Sequence, residues 1–143
     1  MSTTTSTATD LALTHVMLLV GDQDEALTFY RDTVGLEVRI DLPFDGGRWL
    51  SVGPASQPGL EIVLEMPGMH PTAEGRKAYQ ERLDSRAQST VIFYTDDVDA
   101  TFARLKAAGT EVEQELIDQP YGVRDCGFAD PWGNHIRFAT PKS

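Results

Sequence analysis

The chain has 143 residues, and 12 Lys and Arg against 22 Asp and Glu give a formal net charge of 12 − 22 = −10. This length suits one domain or two small halves that share a core, and the 41% apolar content excludes a largely disordered or fibrous protein. The acidity argues against a nucleic-acid partner, and no apolar run approaches the roughly 20 residues of a membrane-spanning helix. The charge either attracts a cationic ligand or keeps the protein soluble.

The N-terminus and the single cysteine bear on the location of the protein. Seven of the first ten residues are Ser or Thr, and no basic start precedes an apolar stretch. Residues 1–11 are therefore predicted to be a flexible tail and not a secretory signal. Cys126 alone excludes an intramolecular disulfide and a Cys-based zinc cluster. We expect a cytoplasmic protein.

One pattern occurs twice along the chain. The strand-like run 14–20 aligns with 89–95 at an offset of 75, and the run 59–67 aligns with 133–141 at an offset of 74. β-Branched, aromatic and aliphatic residues in the first pair of runs favour strands. Because five successive elements agree in order, chance similarity is a poor explanation, and each half is predicted to be βαβββ.

Capping residues delimit one helix in each half. Asp22 precedes the first helix, with Glu25 three residues later as in a capping box, and Gly35 supplies a left-handed stop. In the second half Asp97 starts the helix and Gly109 ends it. Each helix therefore follows the first strand of its half.

The repeat divides the chain into four parts. Residues 1–11 are the tail, 12–67 the first βαβββ module, 68–88 an exposed helical connector, and 89–143 the second module. The predicted fold class is α+β, with tandem modules and a mostly antiparallel sheet.

Two motifs resemble the vicinal oxygen chelate superfamily, which contains glyoxalase I, bleomycin-resistance proteins and extradiol dioxygenases. They are the run His15-Val16-Met17-Leu18-Leu19-Val20-Gly21-Asp22 and the turn Asp130-Pro131-Trp132-Gly133-Asn134. The resemblance spans roughly residues 12–141. It implies a cup-shaped sheet with helices on the convex face, and a homodimer in which the cup belongs to one chain or is shared between two. It is far less specific to reaction, because this fold hosts many chemistries.

Alternation along the strands sorts side chains between the cup and the convex face. The predicted ligand pocket consists of Met17, Trp49, Ser51, Val63, Glu65, Thr90, Ile92, Tyr94, Asp125 and Arg137, with Tyr121 at its rim. His15, Glu61 and His135 are the candidate catalytic residues, either histidine serving as a general base that Glu61 orients. The convex face is predicted to carry Arg48, Arg124 and Cys126.

The enzymes of the superfamily hold a divalent ion through four strand positions. The resemblance places these positions at His15, Val63, Thr90 and Arg137. Only His15 is a usual ligand, and a fixed cation at Arg137 would repel the ion, so no metal is expected. The alternative is a displaced set, His15, Glu61 and His135, that binds Ni, Zn, Fe, Co or Mn.

Three of these residues have two interpretations each. Arg137 either clamps a carboxylate or phosphate, or forms a salt bridge across the cup to an acidic residue: Glu61, Glu65 or Asp125. Trp49 either stacks on a planar ligand or packs in the core. His15 is either a ligand-binding group or an ordinary hydrogen-bonded wall residue.

Three functions follow from these alternatives. The first is a metal-free small-molecule-binding protein of the bleomycin-resistance kind, and the second is a metal-dependent lyase, isomerase or dioxygenase with displaced ligands. The third is a structural or regulatory module whose cup has lost its chemistry. The missing metal ligands and the acidity favour the first, so we predict a small-molecule-binding homodimer, with its ligand unassigned and enzymatic activity left open.

Overall fold

The computed structural model describes residues 9–44, 47–86 and 88–141. Most of the predicted tail, residues 1–8, lies outside the described residues. The first half contains β1 His15–Leu19, α1 Gln23–Leu27 with a π-helical continuation Thr28–Val34, β2 Glu37–Phe44, β3 Gly47–Gly53 and β4 Glu61–Glu65. A 3-10 turn, Pro67–Met69, and α2 Ala73–Ser85 follow. The second half contains β5 Thr90–Tyr94, α3 Val98–Ala107, β6 Glu111–Asp118, β7 Val123–Ala129 and β8 His135–Pro141.

The strands form two four-stranded sheets with the same topology. The strand orders are β1-β4-β3-β2 and β5-β8-β7-β6. The pairs β1–β4 and β5–β8 are parallel, and the other neighbours are antiparallel. The predicted α+β fold of tandem, mostly antiparallel βαβββ modules is therefore confirmed.

The predicted helix boundaries are also confirmed. The carboxylates of Asp22 and Asp97 each accept a hydrogen bond from the backbone amide three residues on, at 2.8 and 3.0 Å. Gly35 and Gly109 have φ angles of 97° and 83°, in the left-handed region that glycine adopts readily.

The first helix departs from the α geometry that its pattern predicts. From Thr28 to Val34 it is a π-helix, and the backbone N–H of Gly35 donates to the carbonyl of Tyr30, five residues earlier. Phe29, Tyr30 and Val34 are all buried. The apolar pattern predicted which side chains are buried, but π and α turns bury the same stripe and the pattern does not separate them.

One hydrophobic core joins the two modules on their helix-bearing sides. It contains Leu18 and Val20 from the first module and Phe128 and Ile136 from the second, all essentially inaccessible to solvent. Each such side chain contributes roughly 1.5–3 kcal/mol when it leaves water. Because both modules use their convex sides for this core, the opposite, concave sides of the sheets stay open.

A buried polar cluster around Asp130 fastens the modules together. Tyr30 Oη donates to Asp130 Oδ2 at 2.6 Å, and the backbone amides of Trp132 and Asn134 donate to Oδ1 at 2.9 and 2.8 Å. Asn134 Nδ2 also donates to the carbonyl of Leu19, at the end of β1, at 2.9 Å. Burial, and next the charge of Asp130, raises the pKa of Tyr30 well above its ordinary value, so the phenol remains a donor.

The helix α2 lies in the segment between the modules, and none of its residues is buried. Its Thr72 cap accepts a hydrogen bond from the amide of Gly75 at 3.0 Å. In the part of the chain that the structure describes, every helix is too short or too polar to cross a membrane.

Candidate functional site

The convex sides of the sheets hold structural ion pairs where the sequence predicts them. Arg48 reaches Asp24 of α1 at 2.8 Å, and Arg124 reaches Asp99 of α3 at 2.9 Å. Cys126 is buried on the same side, and burial raises the pKa of its thiol to about 11. None of these three predicted convex residues belongs to the site.

The concave sides carry the candidate site residues, which alternate with core residues along the strands. Exposed apolar side chains stand here: Ile92 is 61% accessible and Tyr94 69%. Met17 is exposed on the first sheet as well. Apolar groups of this size left in water mark a surface that is available to a ligand or a partner.

The concave face of the first sheet holds a short hydrogen-bonded chain. The parallel pairing of β1 and β4 sets His15 opposite Glu61, and His15 Nε2 lies 3.1 Å from Glu61 Oε2. Buried Ser51 donates its hydroxyl to Glu61 Oε1 at 2.6 Å. The Trp49 ring lies beside His15, with 6.5 Å between ring centroids. Thr14 Oγ1 lies 2.7 Å from the other ring nitrogen, Nδ1, so both nitrogens of His15 have partners within the chain.

The concave face of the second sheet is organised around Arg137. Its Nη2 donates to Gln114 Oε1 at 2.8 Å and to Asp125 Oδ2 at 3.1 Å. Asp125 Oδ1 accepts from Gln114 Nε2 at 2.7 Å and from Gln119 Nε2 at 3.0 Å. Of the two interpretations of Arg137, the structure contains the salt bridge, with Asp125 as the partner.

The carboxylate of Asp125 is held ionised although it is only 5% accessible. Burial by itself would raise its pKa, but hydrogen bonds from Gln119, Gln114 and Arg137 outweigh burial and lower the pKa below its ordinary value. Both carboxylate oxygens are thus occupied by partners from within the protein.

A pocket of about 270 Å³ opens beside this network. It combines apolar walls with one ion pair, which is the usual make-up of a small-molecule site. All of its lining residues come from the second module: Ile92, Tyr94, Tyr121, Val123, Asp125, Arg137, Phe138 and Ala139. The prediction of a rim position for Tyr121 agrees with its exposure of 71%.

The candidate catalytic residues lie on two different sheets. His15 and Glu61 pair on the first sheet, whereas His135 Nδ1 lies 2.8 Å from Glu113 Oε1 on the second. Across the described residues, no group of three or more His, Cys, Asp or Glu side chains is placed to hold a metal. The displaced set of His15, Glu61 and His135 is therefore not assembled within one chain, and the donor groups do not fit a metal there.

Six predicted pocket residues do not line the second-sheet pocket: Met17, Trp49, Ser51, Val63, Glu65 and Thr90. Val63 is fully buried between the strands of the first sheet, and Thr90 is exposed next to His135. Glu65 lies near Arg82 of α2. Burial raises its pKa, and the electrostatic influence of Arg82, followed by that of His70, opposes that rise.

The sequence interpretation missed the residues that β6 supplies to the second face. A register shift between Val112 and Gln114 inserts an extra residue at Glu113. Such a bulge breaks strict alternation, so Glu113 and Gln114 both reach concave-face partners, His135 and Arg137. The first module has the same bulge at the equivalent place in β2, and the repeat itself does not reveal either one.

The tandem βαβββ fold and the open concave faces define the class of protein. The chain belongs to the Glyoxalase/Bleomycin resistance protein/Dioxygenase superfamily, whose family model matches residues 12–138. This result confirms the resemblance of the two sequence motifs.

Individual relatives cover nearly the whole chain. The uncharacterized protein YurT of Bacillus subtilis (strain 168) is 35% identical over 121 residues, which are 84% of this chain and 91% of YurT. The crystal structure of UcmS2 is similar at a TM-score of 0.75 and 30% identity, covering 90% of this chain and 97% of UcmS2. TnmS3, an antibiotic binding protein from Streptomyces sp. CB03234, is similar at a TM-score of 0.73 and 32% identity, covering 94% of this chain and 98% of TnmS3.

Proposed function

We propose that this protein binds a small organic molecule on the concave face of its second sheet. The observation that carries the proposal is the pocket of about 270 Å³ in which exposed Ile92, Tyr94 and Tyr121 surround the Arg137–Asp125 ion pair. The similarity to TnmS3, described as an antibiotic binding protein, supports the same class of function.

The protein performs this function without a metal. Glu61 is already engaged by Ser51 and His15, and the cation of Arg137 stands at the eighth-strand position where the superfamily's enzymes carry a carboxylate ligand. Elemental analysis of protein purified without chelator tests this step. Near-stoichiometric Ni, Zn, Fe, Co or Mn would favour the metal-dependent alternative instead.

The functional unit is a homodimer. Met17, Leu42 and Ile117 are exposed outside the pocket and are apolar surface that a second copy of the chain would cover. Light scattering should give a mass near twice 15.7 kDa. A mass near 15.7 kDa would remove the dimer and leave the binding proposal intact.

Calorimetric titration against a chemically varied panel tests the binding proposal. The panel contains bleomycin-type cations, uncharged aromatic compounds and aromatic acids, each titrated into wild type and into Tyr121→Ala. We expect saturable binding by at least one class and a loss of affinity in the variant. A flat response across the panel would contradict the proposal.

A further inference from the structure

The floor of the second-sheet pocket carries one positive and one negative side chain, Arg137 and Asp125, which pair with each other. The Arg137 guanidinium uses Nη2 for both Gln114 and Asp125, and the Asp125 oxygens accept from Gln114, Gln119 and Arg137. Asp125 is also buried, so it has neither the exposure nor a spare oxygen with which to receive a cationic ligand. A ligand cation would meet only the positive charge of Arg137, and a ligand anion would meet an arginine that is already paired.

The guanidinium lies directly against the backbone of β7. A Cβ atom added at Gly127 would stand 2.8 Å from Arg137 Nη1, closer than non-bonded atoms approach. Gly127 therefore makes room for the guanidinium to rest against the sheet beside Asp125. Arg137 also lines the pocket.

The rim of the pocket is aromatic and aliphatic. Tyr94, Tyr121 and Ile92 are exposed around the opening. A planar cation bordered by aromatic rings is a stacking surface for a flat π system. Since a cavity of about 150 Å³ accommodates one benzene, a pocket of about 270 Å³ has room for a ligand of roughly two fused rings.

From these observations we infer that the ligand is an uncharged, planar aromatic molecule of about two fused rings that stacks on the Arg137 guanidinium. The inference rests on the proposed function and adds to it the charge and shape of the ligand.

A series of naphthalene derivatives separates charge from shape. The probes are 2-acetylnaphthalene, which is uncharged and has an acceptor, the anion 2-naphthoate, the cation 2-naphthylmethylammonium, and 2-acetyldecalin, which is saturated and not planar. Titration calorimetry at one salt concentration should rank 2-acetylnaphthalene tightest, by roughly fivefold or more over each of the others.

Two variants test whether the preference for 2-acetylnaphthalene depends on Arg137. Gly127→Ala makes the guanidinium shift away from β7, and the double variant Arg137→Met/Asp125→Asn removes both charges without leaving either one unpaired. Both should bind the four probes with affinities within about twofold of one another, since the stacking cation is displaced or absent. Arg124→Met, on the convex side, is the matched control and should keep the wild-type ranking.

The outcomes distinguish the ligand class from the proposed function. The inference is overturned if a charged probe binds as tightly as 2-acetylnaphthalene, if the ranking survives in Gly127→Ala, or if none of the four probes saturates. The proposed function stands in any of these cases if another class of compound in the wider panel binds saturably and Tyr121→Ala weakens its binding. If the double variant does not fold, Gly127→Ala alone decides.

Discussion

The two concave faces have the same backbone and different chemistry. At positions 74 residues apart, Ser51 of the first module corresponds to Asp125 of the second, and Val63 corresponds to Arg137. The convex sides are alike by comparison, because an arginine reaches an aspartate of the adjacent helix in both modules. The convex sides of both modules support the fold with the same ion pair, whereas the concave sides differ, and the pocket of about 270 Å³ lies on the second of them.

The turn before the last strand shows the largest difference between the modules. In the second module Asp130 accepts four hydrogen bonds in a buried setting, whereas its counterpart Ser56 is exposed in a turn. Asp130→Ala leaves Tyr30 and the turn amides without a buried partner, so we expect the free energy of unfolding to fall by about 3 kcal/mol or more. Urea denaturation measures it. Ser56→Ala, the matched change, should stay within about 0.5 kcal/mol, and equal effects would show that the cluster does not fasten the modules.

Substitutions at the floors of the two concave faces should change the free energy of unfolding by smaller amounts than Asp130→Ala does. Asp125→Asn removes the charge that pairs with Arg137 and should lower the free energy of unfolding by about 2 kcal/mol at pH 7. Ser51→Ala removes one neutral donor to Glu61 and should cost about 1 kcal/mol.

The effect of Asp125→Asn also has a predicted pH dependence. Because the folded-state pKa of Asp125 is lowered, its stabilising contribution is fully present above the ordinary Asp pKa and is lost as the pH falls through the lowered value. The difference between wild type and variant should therefore stay constant down to about pH 4 and shrink below it. A difference that stayed constant to pH 2 would contradict the ionised, hydrogen-bonded state of Asp125.

Ligand binding should depend on the second face and not on the first. Tyr121→Ala removes an aromatic rim side chain and should weaken binding of the tightest panel compound about tenfold. His15→Ala changes the first face and should leave that affinity within about twofold. Calorimetry on both variants tests the assignment, and the reverse order of effects would move the site to the His15–Glu61 pair.

The smallest expected effect on stability is at Glu65, whose counterpart in the second module is Ala139. Burial raises the pKa of Glu65, so its ionised form opposes folding, and stability should increase as the pH falls through the raised value. Glu65→Gln should stabilise the protein at pH 7 by about 0.5 kcal/mol or less. The gain should vanish below about pH 4, where the wild-type carboxyl is protonated in both states. Urea unfolding at both pH values checks this, and destabilisation at pH 7 would show that the electrostatic attraction of Arg82 outweighs burial.

Much of the fold could be predicted because it depends on local signals. Asp22 and Asp97 cap helices, Gly35 and Gly109 end them, and alternation along the strands assigns the core. These signals act within one or two turns of chain, so one sequence contains them. The π-helical continuation of α1 could not be predicted, because its burial pattern is also that of an α-helix.

The site was less predictable because its contacts cross between strands. Alternation placed Asp125 and Arg137 on one face, but it did not choose between Asp125 and the other candidate acidic partners of the arginine. That choice depends on Gln114, which the bulge in β6 turns toward the cup, and on Gly127, which makes room for the guanidinium. Backbone irregularity and side-chain packing decide such details, and the periodic pattern of apolar residues in the sequence reveals neither of them.

The central claim is that the ligand binds the concave face of the second sheet. The direct measurement is an amide NMR titration of the ¹⁵N-labelled protein with the compound from the panel that binds most tightly. The account predicts saturable shifts at residues 92–94, 121–125 and 137–139, with little change at residues 15–19 and 61–65. Shifts concentrated at residues 15–19 and 61–65 would contradict it, as would the absence of saturable shifts with every compound of the panel.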